Sequence, residues 1–193
     1  MKLPGRAALE TALTAVGERL AHAGQPCRIV VVGGAAMNLL GLVDRATIDV
    51  DVLALGEAAG AIRPPDPLPP ALRDAIAAVA RDTGYASDWI NTTVADQWRF
   101  GLPPDLARDL EWRTYGGGLT VGIVSRRTLV YFKLYASADQ TTPDNVHTKD
   151  LLALAPSDAE LEAAAAWVRT QDAGTDFHAV VQKVVDYVRA ALR

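Results

Sequence analysis

The stretch VVVGGAAMNLLGLVDRATIDVDV, Val30–Val52, decides how this chain is read. An apolar run ends in Gly33-Gly34, and a turn and short helix later Asp49 and Asp51 stand two apart in a second apolar run. Side chains alternate between the faces of a strand, so a D-x-D on a strand puts both carboxylates on one side. Ile48, Val50 and Val52 then point the other way, into a core. Neighbouring carboxylates repel unless a cation lies between them, and an all-oxygen donor set suits Mg²⁺. Two glycines at a helix start expose bare backbone N–H groups, the place where phosphate binds. The unit therefore points to phosphoryl or nucleotidyl transfer.

Taken singly, each half of the pattern has a plainer reading. Gly33-Gly34 alone serves as a tight strand-to-helix turn. Asp49 and Asp51 alone fit the solvated face of a half-buried strand. Arg45 beside Asp44 fits a surface ion pair of little energetic weight. The order of the parts is what carries information.

That order resembles the signature of the polymerase-β-type nucleotidyltransferase superfamily: a Gly-Gly pair after a strand, then D-x-D on the next. Arg45 and Thr47, in RATIDVD, narrow the resemblance to the AbiEii/MenT-like nucleotidyltransferase toxins of type IV toxin–antitoxin and abortive-infection systems. Two further segments fit that group: DWIN at Asp88–Asn91, and LVYFKLYAS at Leu129–Ser137 followed by TKDLLAL at Thr148–Leu154. The resemblance implies a Mg²⁺-dependent enzyme that takes a nucleoside triphosphate, transfers the nucleoside monophosphate and releases pyrophosphate. It implies tRNA as acceptor, at its 3′ end, with growth arrest as the outcome and a separately encoded antitoxin as partner. Asp49 and Asp51 would hold the metal. Gly33, Gly34, Arg45, Thr47 and Lys133 would bind the nucleotide, and Asp150 would orient or deprotonate the acceptor.

Lys133 interrupts an apolar and aromatic stretch, where a lysine either snorkels to solvent or meets an anion. The resemblance favours the anion, since the toxin group carries a triphosphate-binding lysine in a K-L-x-A helix. Lys149-Asp150 would be its K-D motif. His147, next to it, fits a solvated or capping residue ahead of a helix better than a base. One departure stands out. Many enzymes of the superfamily carry a third carboxylate on a later strand, and the apolar run 119–124 has none. Either Asp150 takes that role, or Asp109 or Glu111 swings in, or the site holds one metal well and a second weakly. The same fold also leaves room for a small-molecule or protein acceptor, or for a catalytically idle binding module.

The rest of the chain sets the frame. Its 193 residues, 50% of them hydrophobic, supply a sizeable core. Pro4 opens a helix with Leu9, Leu13, Val16 and Leu20 on one stripe, ending near Gly24. Strands are expected at 28–32, 48–55 and 119–124, and helices at 35–42 and 71–83. A proline-rich loop runs over 56–70, and Gly116-Gly117-Gly118 makes a hairpin or strand entry. Trp89 and Trp98 read as packing anchors. From Ser125, a helix cap, the chain is helical, with an S-x-x-E capping box at Ser157 and Glu160. Phe177, Val181, Val184, Val188 and Leu192 form the last apolar stripe. The expected fold is α/β (α+β): a small mixed sheet of the polymerase-β nucleotidyltransferase type over 1–124, and a helical C-terminal lobe over 125–193 completing the active site.

No apolar run approaches the roughly 20 residues that span a bilayer. The start of the chain lacks a charged-then-apolar leader pattern. The single cysteine, Cys27, excludes an internal disulfide and reads as core. Together these point to a cytoplasmic protein without membrane partners. The net charge of −4 is not the global profile of a nucleic-acid binder. Any RNA contact would use a local patch, with Arg126, Arg127, Lys183, Arg189 and Arg193 as candidates.

Overall fold

Ile29–Val32 are β-branched and fully buried, which is how a central strand reads, and they form the middle of the sheet. The computed structural model describes residues 5–57, 60–140, 142 and 144–193. Pro4, expected to open the first helix, lies outside them, as do positions 58 and 59 of the proline-rich loop. The chain divides into two compact units: residues up to Arg99 with Asp105–Val124, and Phe100–Pro104 with Ser125–Arg193.

The first unit is α/β. Its elements are α1 (Arg6–His22), β1 (Cys27–Val32), α2 (Gly33–Leu39), β2 (Val50–Gly56), β3 (Ile62–Arg63), α3 (Pro70–Thr83), β4 (Ile90–Asn91), β5 (Leu110–Tyr115) and β6 (Leu119–Val124). A 3₁₀ turn, Thr93–Asp96, leads into the short α4 (Gln97–Phe100). The sheet is mixed, in the order β3-β2-β1-β6-β5. β1 runs parallel to β6 and antiparallel to β2, and β4 lies parallel to the start of β2. Leu9, Leu13, Val16 and Leu20 of α1 are buried, as their spacing requires.

Gly116-Gly117-Gly118 is the turn between β5 and β6, and its composition has a packing cause. A Cβ on Gly116 would stand 2.2 Å from the Thr14 carbonyl oxygen, and one on Gly118 would stand 2.4 Å from the Ala21 nitrogen. From the other side, a Cβ on Gly17 would stand 1.9 Å from the Tyr115 carbonyl oxygen. The glycines let this hairpin touch the backbone of α1. They are not a phosphate loop.

The second unit is helical: α5 (Arg126–Ala138), α6 (Val146–Ala153), α7 (Asp158–Arg169) and α8 (Thr175–Ala191). Ser125 caps α5 by accepting the Thr128 N–H. Ser157 and Glu160 cap α7 reciprocally, the full capping box. Trp167 of α7 is the hub, with Tyr131 and Phe132 of α5 meeting it edge-on at 5.8 Å between ring centres. Val181, Val184, Val185 and Val188 bury one face of α8.

Several expected boundaries move. α2 starts at Gly33 rather than residue 35, so no linker separates it from β1. β2 starts at Val50, leaving Ile48 and Asp49 ahead of the strand. Ile48 is 64% exposed and not in the core, because the chain around it has yet to join the sheet. Leu192 follows the end of α8 and is exposed, so the apolar stripe stops at Val188. Cys27 is half-buried at the head of β1, and burial still pushes its thiol above the ordinary range. β3, which lies within the expected loop of 56–70, β4 and β5 have no counterpart among the expected strands. His147 lies inside the first turn of α6, not ahead of it, and Asn145 is the cap.

Candidate functional site

The junction of β1, α2 and β2 gathers most of the expected residues. β1 and β2 pair so that Val32 stands opposite Asp51. The chain leaves Val32 directly into Gly33, at φ +72, a conformation that side-chain-bearing residues rarely adopt. An added Cβ there would lie 2.5 Å from Asp51 Oδ2, so the carboxylate is packed onto the bare glycine. A Cβ on Gly34 would stand 3.1 Å from Thr47 Oγ1 and 3.5 Å from a guanidinium nitrogen of Arg45. Gly33, Gly34, Arg45, Thr47 and Asp51 are therefore neighbours.

Two polar side chains fix this loop. Asn38, fully buried in α2, donates from Nδ2 to the Gly34 carbonyl at 3.1 Å and accepts the Arg45 N–H at 3.3 Å. Thr47, also buried, donates its hydroxyl to the Asp49 carbonyl at 3.2 Å. Asn38 thus joins the glycine turn to the segment that delivers Asp49. It is absent from the residues expected at the site, although an Asn four residues after Gly34 in an otherwise apolar helix is a legible signal.

Asp49 and Asp51 are half-buried, while Val50 and Val52 between and beyond them are fully buried. The burial alternates from Asp49 to Val52 and breaks at Ile48, which is exposed ahead of the strand. Asn91 of β4 stands in register with Asp51, and its Nδ2 lies 3.4 Å from Asp49 Oδ2. Trp89, buried just ahead of β4, gives its carbonyl to the Val50 N–H at 2.7 Å. Its indole N–H bonds the Ile76 carbonyl at 3.3 Å, which ties β4 to α3. Trp98 bonds the Leu53 carbonyl at 2.7 Å. Both tryptophans are anchors of packing.

The chemistry of the donor set decides whether Mg²⁺ fits. Asp49 and Asp51 supply carboxylate oxygens, and among the described residues no group of three or more His, Cys, Asp or Glu side chains gathers to hold a metal. Mg²⁺ commonly takes one or two carboxylates and completes its shell with phosphate oxygens and water. The pair fits a substrate-assisted site of that kind. Glu111, one of the candidate third carboxylates, is exposed on β5 and pairs with Arg113 at 2.6 Å. Beside β4 a cavity of about 650 Å³ opens, lined by Asn91, Thr92, Thr93, Ile76 and Arg73 among others.

Lys133 and Asp150 belong to the second unit and are bonded to each other. Lys133 Nζ lies 2.7 Å from Asp150 Oδ2, and both side chains are buried. The lysine on α5 thus meets an anion, and that anion is Asp150 of α6. Ser137 and Thr148 share a buried hydrogen bond between the same helices. Lys149 points outward to Asp144 at 2.9 Å.

Two of the candidate RNA-contacting arginines are engaged elsewhere. Arg126 donates to the Leu154 carbonyl at 2.6 Å and pairs with Glu160. Arg189 meets Asp158 at 2.7 Å and Glu162 at 2.6 Å, and these carboxylates raise its pKa further. Among the described residues, Arg127 and Lys183 take no part in the ion pairs around Arg126 and Arg189. Among the described residues no helix is long and apolar enough to cross a membrane. No protein-family model, no curated protein and no solved structure matches this chain.

Proposed function

We propose that this protein is a Mg²⁺-dependent nucleotidyltransferase, and that its acceptor is tRNA as in the toxins it resembles. The observation that carries the reading is Asp51 packed onto Gly33, with Asp49 two residues before it and bonded to Asn91, the residue in register with Asp51. Carboxylates and a side-chain-free turn are what phosphoryl-group transfer asks of a protein: charge placement and room for phosphate oxygens. A Mg²⁺ ion held by Asp49 and Asp51 would neutralise phosphate charge and make the acceptor hydroxyl more acidic. By the resemblance, the backbone N–H groups of Gly33 and Gly34 at the start of α2 would face the triphosphate, with Asp51 packed onto Gly33 and Thr47 and Arg45 against Gly34. The acceptor oxygen forms a bond to the α-phosphorus as the bond to the β-phosphate bridging oxygen breaks. Pyrophosphate leaves, and the hydroxyl proton passes to water or a carboxylate. The roles of Lys133 at the triphosphate, of Asp150 at the acceptor and of a separate antitoxin rest on the resemblance alone.

A small-molecule acceptor has two observations behind it. Ion pairs engage Arg126 and Arg189, two of the candidate RNA-contacting cations, and the cavity beside Asn91 has the size of a small-molecule site. Incubation with each α-labelled nucleoside triphosphate, Mg²⁺ and total tRNA separates these readings. Label on RNA supports the toxin reading. Label only on a small molecule or protein removes RNA as acceptor and keeps the enzyme. No label on anything, from any nucleotide, contradicts the activity itself.

A further inference from the structure

The geometry points to Asn91 as a positioning residue that occupies the third place of the metal site with an amide where a carboxylate could stand. This inference rests on the metal reading of Asp49 and Asp51. Val32, Asp51 and Asn91 form one row across three strands, since Asp51 is in register with both neighbours. Residues in register on adjacent strands share a face, so Asn91 lies on the carboxylate face. Its amide orientation is fixed chemically. Oδ1 accepts the Thr93 N–H at 2.9 Å, a donor that only an oxygen can satisfy, so Nδ2 is turned toward Asp49 Oδ2 at 3.4 Å. The amide holds one oxygen of Asp49 and adds no charge. Two carboxylates and an orienting amide make a site for one strongly held ion.

Three variants test this, read by Mn²⁺ titration and by thermal melting with and without Mn²⁺. Asn91→Ser keeps an acceptor for the Thr93 N–H but does not reach Asp49, so it separates the turn from the clamp. We expect Mn²⁺ affinity in Asn91→Ser and Asn91→Ala to fall by roughly ten-fold or more, the scale for losing a partner that orients a metal ligand. Asn91→Asp should melt below the wild type without metal, because two carboxylates then face each other. With Mn²⁺ it should bind more tightly than the wild type and gain the larger stabilisation. Wild-type affinity in all three variants, with affinity lost in Asp49→Ala, would overturn the role of Asn91 and leave the metal reading intact. A wild-type protein that binds no Mn²⁺ would overturn both.

Discussion

The Asp51 carboxylate rests on the Cα of Gly33, so close that a methyl group there would lie 2.5 Å from Oδ2. The packing arises because Asp51 pairs with Val32 and the chain turns at the next residue, with φ +72. Gly33→Ala should therefore cost twice. The left-handed backbone conformation costs about 1–2 kcal/mol for a residue with a Cβ, and the carboxylate must move. Gly34→Ala meets Thr47 Oγ1 at a softer 3.1 Å and should cost less. Thermal melting together with Mn²⁺ binding should rank Gly33→Ala well below Gly34→Ala in both.

Asn38 holds the site from behind. Its buried amide serves the Gly34 carbonyl and the Arg45 N–H, and removing it takes a partner from each in part-buried surroundings. Asn38→Ala should destabilise the protein by about 1–3 kcal/mol. It should also weaken nucleotide binding, because the Arg45–Asp49 segment loses its tether. Denaturant unfolding and nucleotide titration would check the pair of effects. Lowered stability with unchanged nucleotide affinity would limit Asn38 to the fold.

The buried ion pair of the second unit gives a different expectation. Removing one member leaves the other charge uncompensated, a loss of roughly 3–5 kcal/mol, whereas replacing both by apolar residues is often neutral. Lys133→Met should thus destabilise strongly, and Lys133→Met with Asp150→Leu should recover much of the loss. The double variant separates fold from function. If it folds yet binds nucleoside triphosphate as tightly as the wild type, Lys133 is a structural residue only.

Much of this is legible in the sequence, and the reasons are local. α1 and α8 carry long apolar stripes at helical spacing, β1 is a run of buried β-branched residues, and Ser125 and Ser157 are caps whose partners follow in sequence. The features that escape a sequence reading have weak or non-local signals. β5 alternates Glu111 and Arg113 with Trp112 and Thr114, so neither face reads as apolar. Its identity comes from pairing with β6. β4 is two residues long, too short for any period, and Asn91 gains its place only through the register with Asp51. The engagement of Arg126 and Arg189 depends on carboxylates 34 and 31 positions away in sequence.

Glu160 gives the fold a pH dependence. Burial pushes its carboxyl up, but the Ser157 N–H bond and the Arg126 guanidinium outweigh this and hold it below the ordinary carboxylate range. A lowered native pKa stabilises the fold above the unfolded value, about 4.3 for Glu, and that stability is lost as pH falls through the native value. Glu160→Gln should be less stable than the wild type at pH 7, by about 1 kcal/mol on the scale of a lost helix cap. The gap should close in acid. Urea unfolding at the two ends of that range would detect it, and a gap that persists at low pH would assign the effect to packing.

If the acceptor is RNA, the cations that hold it should lie outside the Arg126 and Arg189 ion pairs. Arg127→Ala and Lys183→Ala should each make the salt dependence of RNA binding shallower, by about 0.7–0.9 in the slope of log K against log[salt] for every phosphate left unneutralised. Arg189→Ala should instead lower stability, through Asp158 and Glu162, with the slope unchanged. Filter binding over a salt series, beside thermal melting, distinguishes the two behaviours.

Asp49 and Asp51 are proposed to carry a nucleotidyl transfer. Its most direct test is transfer of label from α-labelled nucleoside triphosphate, with Mg²⁺ and total tRNA, by the wild type, Asp49→Ala and Asp51→Ala. Circular dichroism would check that all three are folded. We expect transfer by the wild type, none by either variant, and pyrophosphate released in equal amount. Transfer that continues undiminished in a folded Asp49→Ala or Asp51→Ala protein, or a wild type that labels nothing, would contradict it.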